Sequence, residues 1–291
     1  MATKHESARQ AAKPRIANGF WIDHATIDNV RSGEKRHIIA PLPDPGCDHL
    51  AEGEGSEGHP TDARFPRFSA HGHLDALHLS IWWKGVAIVV DPGTGAYHAD
   101  KRTRTWLASR EAHNGPCPVG LFEPQRLGPF LWRSRHPAPS VTRRDSWASG
   151  TLNLIGFQIR RTITHSPASL SWRVEDRCIR KDGRATPFGV RWQFAPGSWV
   201  KRVSERKFSV HRADVAVMIE VDENWAAVEL VEPVVSGEQY FHTLAPSESL
   251  EGVVSPAFRK ICRAPYLKLL ARPQGDKPCV FSTTFLASAH S

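Results

Sequence analysis

Residues 70–93 read AHGHLDALHLSIWWKGVAIVVDPG, with two apolar runs on either side of a short polar break. Leu77–Trp83 and Val86–Val90 are rich in residues that favour strands, and Lys84-Gly85 between them is typical of a tight turn. The stretch therefore predicts an antiparallel β-hairpin, a unit from which all-β folds are built.

Two histidines precede this hairpin. If the segment is extended, His71 and His73 project to the same face, because side chains alternate along a strand. Gly72 between them leaves room for close approach of a ligand or another backbone. Asp91 follows the second strand, and a polar, basic loop is predicted to lead from there to His113. Two imidazoles and a carboxylate suit zinc, so we predict a metal site of His73, Asp91 and His113 with His71 beside it.

The spacing of these histidines in the sequence also allows a simpler interpretation, in which they bind no metal. An isolated histidine in a strand is most often a half-exposed polar residue, and this chain has 15 histidines. No short motif fixes the third ligand.

The register of the hairpin decides whether Asp91 can reach His73. A two-residue turn at Lys84-Gly85 would place Asp91 opposite His78, on the wrong face. A three-residue turn that begins at Trp83 would return Asp91 to the face of His73. We predict the three-residue turn, or an equivalent bulge, because the metal site needs it.

The net charge of the chain is strongly positive, +8 with an isoelectric point near 9.5 over 291 residues. Such a charge suggests an anionic partner. Nucleic acid is disfavoured, because the sequence has no zinc-finger spacing, no RNP-like segment and no strongly basic helix. No apolar run approaches the roughly 20 residues needed to span a bilayer, so no membrane partner is expected. An acidic polysaccharide suits the charge equally well.

The cysteines and the N-terminus bear on the compartment. The five cysteines form neither a CxxC motif nor an evident disulfide framework, so we expect reduced thiols; they are Cys47, Cys117, Cys178, Cys262 and Cys279. The N-terminal residues lack the apolar core of a signal peptide. The chain is expected to be cytoplasmic as it stands, or periplasmic or secreted if an N-terminal region is missing.

Beyond residue 150 the pattern is that of short strands. Apolar or alternating runs such as Val215–Val221 and Tyr266–Ala271 are separated by Gly, Pro, Asp and Ser, and no long stretch has a helical period. The pattern predicts an all-β fold, a large antiparallel β-sandwich. We expect a disordered basic tail over residues 1–17, one β-sandwich domain over residues 18–291, and a flexible loop over residues 41–66.

The segment Phe68–Pro116 resembles the signature region of the heparinase II/III family of polysaccharide lyases. The matching features, in order, are HGHxDAL, an apolar hairpin, VDPGT with a nearby tyrosine, a basic segment with a tryptophan, and AHN. The resemblance implies a β-sandwich that follows a helical toroid domain, and no toroid is recognisable here. It also implies cleavage of uronic-acid polysaccharides, such as alginate or glycosaminoglycans, by β-elimination. Full activity is then expected to need a helical domain or a partner chain.

The resemblance also assigns roles to residues. It makes His71 a catalytic or substrate-facing histidine and His73, Asp91 and His113 the zinc ligands. The family carries its other catalytic groups on the toroid, so they cannot be mapped onto this chain. Tyr97, the tyrosine nearest the motif, is a candidate catalytic residue, with a packing or hydrogen-bonding role as the alternative. Because the polymer would be anionic, the expected substrate contacts include three arginines; the contacts are Arg102, Arg104, Arg110 and Asn114. Asp75 lies on the same alternating face as the histidines and is expected to orient the imidazole of a ligand without binding the metal itself.

Two other interpretations stay open. The chain can be a non-catalytic carbohydrate-binding or accessory sandwich that keeps the metal site, with some of its ten tryptophans as platforms for sugars. A cupin-like metalloprotein also uses HxH and a later histidine. That motif has a glutamate a few residues after the second histidine, where this chain has Leu77 and His78.

Overall fold

The structure, a computed structural model, describes most residues from 73 to 287 and three short segments before them. The described residues are 19–22, 39–41, 69–70, 73–95, 100–128, 131–133, 139–144, 146–233, 239–240, 244–273, 275 and 279–287. The predicted tail over residues 1–17, nearly all of the predicted loop over residues 41–66, His71 and Tyr97 lie outside them.

Strands dominate the described residues. In chain order they are β1 (Gly19–Ile22), β2 (Ile39–Pro41), β3 (Ser69–Ala70), β4 (Leu79–Trp83), β5 (Val86–Val89), β6 (Cys117–Pro118), β7 (Leu131–Trp132), β8 (Ser140–Arg144), β9 (Trp147–Leu154), β10 (Phe157–Ser166), β11 (Ser171–Arg180), β12 (Phe188–Gln193), β13 (Trp199–Ser204), β14 (Lys207–Arg212), β15 (Val215–Val221), β16 (Trp225–Val231), β17 (Gln239–Tyr240), β18 (Val253–Val254), β19 (Lys260–Arg263), β20 (Tyr266–Ala271) and β21 (Phe281–Ala287). An α-helix, α1 (Lys101–Leu107), and a 3-10 helix, Arg110–Ala112, lie between β5 and β6. Neither of these helices is long and apolar enough to cross a membrane.

Two antiparallel sheets pack face to face around the main core. One has eight strands in the order β13-β14-β15-β21-β11-β10-β9-β8, and the other has the order β16-β20-β12-β6. Strand Val215–Val221 buries alternate residues, as the period of two requires. Between the sheets, the ring of Trp192 on β12 meets the ring of Phe285 on β21 edge-on, with 5.0 Å between centroids. The predicted all-β antiparallel sandwich is confirmed.

Strands β4 and β5 form the predicted hairpin, within a further sheet of order β2-β1-β4-β5. Trp83 pairs with Val86, so the turn has two residues and the three-residue turn we predicted is wrong. Lys84 and Gly85 have φ values of 47° and 78°. Such left-handed values let a two-residue turn follow the twist of the strands.

A bulge in the hairpin confirms the alternative to the three-residue turn. Ile81 pairs with Val89, one residue further along β5 than the turn alone would give. An extra residue reverses which side chains share a face beyond it. Asp91 therefore has the phase of Val89 and Ile81, and not the phase of His78.

Strand β4 begins at Leu79, two residues later than predicted. The backbone of Leu77 is left-handed, with φ of 68°, and the amide of His78 donates to the carbonyl of Asp75 at 2.7 Å. This tight turn separates His73 from the strand, so the face that His73 shares with Asp91 is set by a loop and not by a continuous strand.

Helix α1 occupies the segment that we predicted as a polar, basic loop. The side chain of Asp100 caps its first turn by accepting hydrogen bonds from the amides of Arg102, at 3.0 Å, and Thr103, at 3.3 Å. Aspartate is among the preferred N-cap residues. A helix of seven residues is too short to display a helical period in sequence, which is why the pattern missed it.

A charged pair lies inside the core. Arg161 on β10 and Asp176 on β11 are each 1% exposed and form two hydrogen bonds, of 2.7 and 2.8 Å. Nη1 of Arg161 donates to the carbonyl of Leu77, at 2.9 Å, and to that of Asn114. The guanidinium also lies over the ring of Trp192, 5.0 Å from its centroid. One core arginine thus ties the start of the hairpin and the segment after His113 to the larger sheet.

We expect Arg161→Met to lower the free energy of unfolding by about 3–5 kcal/mol, because it leaves the carboxylate of Asp176 buried without its cation. Arg173→Met is the control, since Arg173 pairs with Glu175 on the same sheet but is half exposed, and such pairs contribute about 0–1 kcal/mol. Urea denaturation of both variants measures the difference. Equal losses would show that the buried pair has no special role.

Candidate metal centre

Three loops bring His73, Asp91 and His113 together. His73 precedes the hairpin, Asp91 follows β5, and His113 directly follows the 3-10 helix. One ligand atom of each lies within 4.8 Å of the others. The structure therefore brings together the residues that the sequence predicted as ligands, and two imidazoles with one carboxylate are a donor set that zinc accepts.

His113 is held by the loop that carries it. The ring is 1% exposed, and its Nδ1 lies 2.6 Å from the carbonyl oxygen of Ser109, to which it donates. Its other nitrogen, Nε2, lies 3.3 Å from Oδ2 of Asp91. A backbone carbonyl on one nitrogen orients the ring and turns the opposite nitrogen toward the centre, as is usual for histidines that bind metals.

Asp91 is fixed through one carboxylate oxygen. Oδ1 accepts a hydrogen bond of 2.7 Å from the amide of Gly93. Gly93 has φ of 78°, and a Cβ there would collide with the backbone of Ser255. The glycine therefore allows the turn that fixes Oδ1 and leaves Oδ2 facing the histidines.

His73 has one nitrogen on each side of the centre. Its Nδ1 lies 3.4 Å from Nε2 of His113. Its Nε2 lies 2.8 Å from Nη1 of Arg104, which donates to it. Arg104 was predicted to contact substrate, but it is 3% exposed and its guanidinium is turned inward to this ring.

His78 is a member of the site that the sequence placed on the wrong face. It is fully buried, and its Nε2 lies 3.8 Å from Oδ2 of Asp91 and 2.8 Å from Oγ of Ser80. Its Nδ1 accepts a hydrogen bond of 3.0 Å from the amide of Asn114. A histidine within an apolar run was the available signal, but the turn at Leu77 that redirects it has no marker in the sequence.

The three histidine rings differ in pKa because burial and the neighbouring charges act on them to different extents. Burial alone lowers the pKa of His113, but the carboxylate of Asp91 outweighs it and raises that pKa to about 9, with a smaller contribution from Asp75. Burial, followed by repulsion from His113, lowers the pKa of His73 to about 4. Burial also lowers the pKa of His78 to about 4. For Asp91, burial favours the neutral acid, but the histidines outweigh it and hold the pKa well below its usual range.

Two more of the predicted substrate contacts bind protein groups. Arg102 is exposed and donates to the carbonyls of Ala245, at 3.0 Å, and Glu248, at 2.6 Å. Arg110 is 2% exposed, and its Nε donates to a carboxylate oxygen of Glu123 at 3.1 Å.

Asn114, the fourth predicted substrate contact, is 0% exposed in this structure. Its Nδ2 donates to the carbonyls of Leu79, at 3.1 Å, and Val90, at 2.8 Å, and its Oδ1 accepts from the amide of Gln193 at 2.7 Å. The side chain therefore joins both strands of the hairpin to β12. Asp75 lies half-buried in the turn before the hairpin.

In the metal-free protein, we expect NMR titration to find His113 protonated up to about pH 9 and His73 neutral down to about pH 4. The raised pKa of His113 stabilises the fold fully below its ordinary value of 6.5, and this contribution is lost as pH rises through 9. The depressed pKa of His73 acts in the opposite sense, and stability is lost as pH falls from 6.5 toward 4. Asp91→Asn is the control, because the pKa of His113 should then fall, with burial opposed only by Asp75 and the carbonyl of Ser109. An unchanged pKa in that variant would refute the assignment to Asp91.

The three residues of the candidate metal centre lie in a segment that matches a known protein family. The family model described as heparinase II/III-like, C-terminal, matches residues 60–260. No curated protein is significantly similar to the chain.

The fold is similar to three solved structures. Heparan sulfate lyase HepC from Pedobacter heparinus has 15% identity and a TM-score of 0.51, with 75% of this chain and 31% of that chain covered. A mutant of the same lyase has 14% identity and a TM-score of 0.52, with 75% of this chain and 31% of that chain covered. A structure of heparinase III has 12% identity and a TM-score of 0.51, with 74% of this chain and 30% of that chain covered. The chain thus spans less than a third of the length of these lyases, and the likeness concerns the fold.

The matched region contains the three residues of the candidate metal centre, the hairpin and most of the sandwich. It covers more than half of the 291 residues. The chain belongs to the family of heparinase II/III-like C-terminal domains.

Proposed function

We propose that this chain is the metal-stabilised β-sandwich of a polysaccharide lyase that acts on uronic-acid polymers by β-elimination. The observation that carries the proposal is the convergence of His73, Asp91 and His113 within 4.8 Å, in a chain of this family. The positive net charge supports an anionic polymer.

The donor set fits zinc at two of its three positions without rearrangement. Nε2 of His113 faces Oδ2 of Asp91, and the opposite atoms of both residues are held by Ser109 and Gly93. The ion would supply a fixed positive charge that joins three loops. A fourth position would be filled by water or a nearby side chain.

His73 needs one adjustment to join a metal. A neutral imidazole that binds through Nδ1 carries its proton on Nε2. Nη1 of Arg104 also donates toward that Nε2, at 2.8 Å. Two donors cannot share one hydrogen bond, so the guanidinium of Arg104 must shift when His73 binds through Nδ1.

The catalytic groups would be shared between this chain and a helical domain or partner chain. β-Elimination removes the C5 proton of a uronic acid and breaks the bond to oxygen at C4, so it needs a base, an acid and a group that stabilises the enolate-like charge. His71, two residues before His73, is the proposed substrate-facing histidine, and Tyr97 is the candidate second group. A helical domain or partner chain would supply the rest.

A non-catalytic sandwich that binds carbohydrate is the second candidate. A specific observation favours it: Arg102, Arg104 and Arg110, predicted to hold substrate, all donate to protein groups. Both candidates keep the metal centre, and they differ in turnover.

We expect the purified chain to bind one zinc ion. His73→Ala, Asp91→Ala and His113→Ala should each weaken zinc by at least about 100-fold, since loss of a residue behind a ligand alone costs about 10–100-fold. His211→Ala is the control, because His211 lies on β14 and contacts Ser209. Elemental analysis gives the stoichiometry and competition with a chelating dye gives the affinity. Zinc affinity that survives His113→Ala would place the ion elsewhere.

We expect the chain alone to show weak or no turnover of alginate, heparan-type or hyaluronan-type polymers. Loss of one member of a positioned catalytic set costs several orders of magnitude. The assay is the ultraviolet absorbance of the unsaturated product, and affinity electrophoresis at rising salt tests for binding that weakens with ionic strength. Rapid turnover that disappears in His71→Ala would instead establish a self-sufficient lyase, and binding to neutral glycans alone would contradict the acidic substrate.

A further inference from the structure

A cavity of about 530 Å³ lies beside the candidate metal centre. It is bounded on one side by the face of β12 and β20 that points away from the core, and on the other by the segment from Trp106 to Glu123. His113 of the candidate metal centre lines it, and so does Ser109, whose carbonyl holds the ring of His113. The volume is in the range of about 300–1,000 Å³ that is usual for sites that bind small molecules.

Two cations face each other across the strands at the base of this cavity. Arg191 on β12 and Lys268 on β20 are direct cross-strand partners. Like charges at such positions repel. One carboxylate oxygen of Glu251 serves both, at 3.4 Å from Arg191 and 3.2 Å from Lys268. The same carboxylate accepts a hydrogen bond of 2.5 Å from the hydroxyl of Tyr266.

Two buried guanidiniums line the cavity with unused hydrogen-bonding capacity. Arg191 is 6% exposed, and its Nε donates to the carbonyl of Glu111. Arg110 is 2% exposed and donates from Nε to Glu123. In each of them Nη1 is enclosed and has no hydrogen-bond partner among the described residues. An unsatisfied buried donor on a charged group is costly, so a side-chain shift that turns either Nη1 toward an acceptor in the cavity would be favourable.

The cavity is lined by both cations and carboxylates, and this combination favours one class of ligand. Glu111, Glu123 and Glu251 also line the cavity, so a simple inorganic anion would meet three carboxylates. An apolar molecule would leave the arginines unsatisfied. A sugar acid offers one carboxylate to the cations and several hydroxyl groups to the glutamates, and the apolar rim of Leu121 and Leu270 suits a sugar ring.

We propose that this cavity binds one uronic-acid residue, with Arg191 and Lys268 at its carboxylate. The ligand class rests on the proposed function, whereas the cavity and its charges do not. The cavity would then be a second carbohydrate subsite, adjoining the metal centre through Ser109 and His113.

Calorimetric titration of the purified chain with glucuronate tests the proposal. Methyl glucoside, as a neutral sugar, and inorganic sulfate should bind at least about tenfold more weakly. Lys268→Met and Arg191→Lys should each weaken glucuronate about tenfold or more, as expected when a hydrogen bond to a charged group is lost. Lys207→Met is the matched control, because Lys207 is 52% exposed and pairs with Glu220, as Lys268 is 51% exposed and pairs with Glu251. It should change the affinity by less than about twofold.

Several results would overturn the proposal. These are undetectable glucuronate binding, sulfate binding tighter than glucuronate binding, or affinity unchanged by both Lys268→Met and Arg191→Lys. Lys268 is exposed, so its variant keeps the test valid if Arg191→Lys does not fold. Glucuronate binding should persist in His73→Ala, which removes a proposed metal ligand that does not line the cavity. Failure of the metal centre or of lyase turnover is therefore distinguishable from failure of this subsite.

Discussion

The buried guanidinium of Arg161 is the constraint on which the rest of the site depends. A charge in the core is tolerated only when its donors are satisfied, and the partners of Arg161 are the carboxylate of Asp176 and two backbone carbonyls. Those carbonyls belong to Leu77, where the chain enters the hairpin, and to Asn114, directly after His113. Leu77 has a left-handed backbone, which costs a residue with a side chain on the order of 1–3 kcal/mol. The hydrogen bond from Arg161 helps to offset that strain, so one charge in the sandwich fixes the geometry of two loops outside it.

Asn114 completes this arrangement from the opposite direction. Its side-chain amide bridges Leu79 and Val90 at the open end of the hairpin, and its carbonyl oxygen engages Gln193 on β12. Its backbone amide donates a hydrogen bond to Nδ1 of His78. Every polar group of the residue is thus used within the protein. The AHN motif therefore supplies both a candidate metal ligand, His113, and the neighbouring residue, Asn114, that connects the hairpin to β12.

A single carboxylate among three imidazoles gives the centre its chemistry. Asp91 lies 3.3 Å from His113 and 3.8 Å from His78, and His73 lies 3.4 Å from His113. Burial disfavours charge on all three rings, and the carboxylate is enough to reverse that effect for His113 alone. A proton shared by His113 and Asp91 and a metal ion bound to them would occupy the same place. The adjoining cavity differs in kind, since its cations are arginine and lysine and no described histidine besides His113 lines it.

The sequence by itself determined the class of fold, the hairpin and the residues that would meet. Period-two alternation gave strands such as Val215–Val221, and His73, Asp91 and His113 were recognisable from their motif. The sequence did not determine helix α1, which is capped by Asp100 but too short for a visible period. It also did not determine the place of the bulge or the turn at Leu77 that brings His78 to Asp91. Only the tertiary structure decided that Arg104, Arg110 and Asn114 point inward, because the partners that hold them lie elsewhere in the sequence. Local pattern records which side chains are apolar, but a buried polar group takes its role from partners that only folding brings within hydrogen-bonding distance.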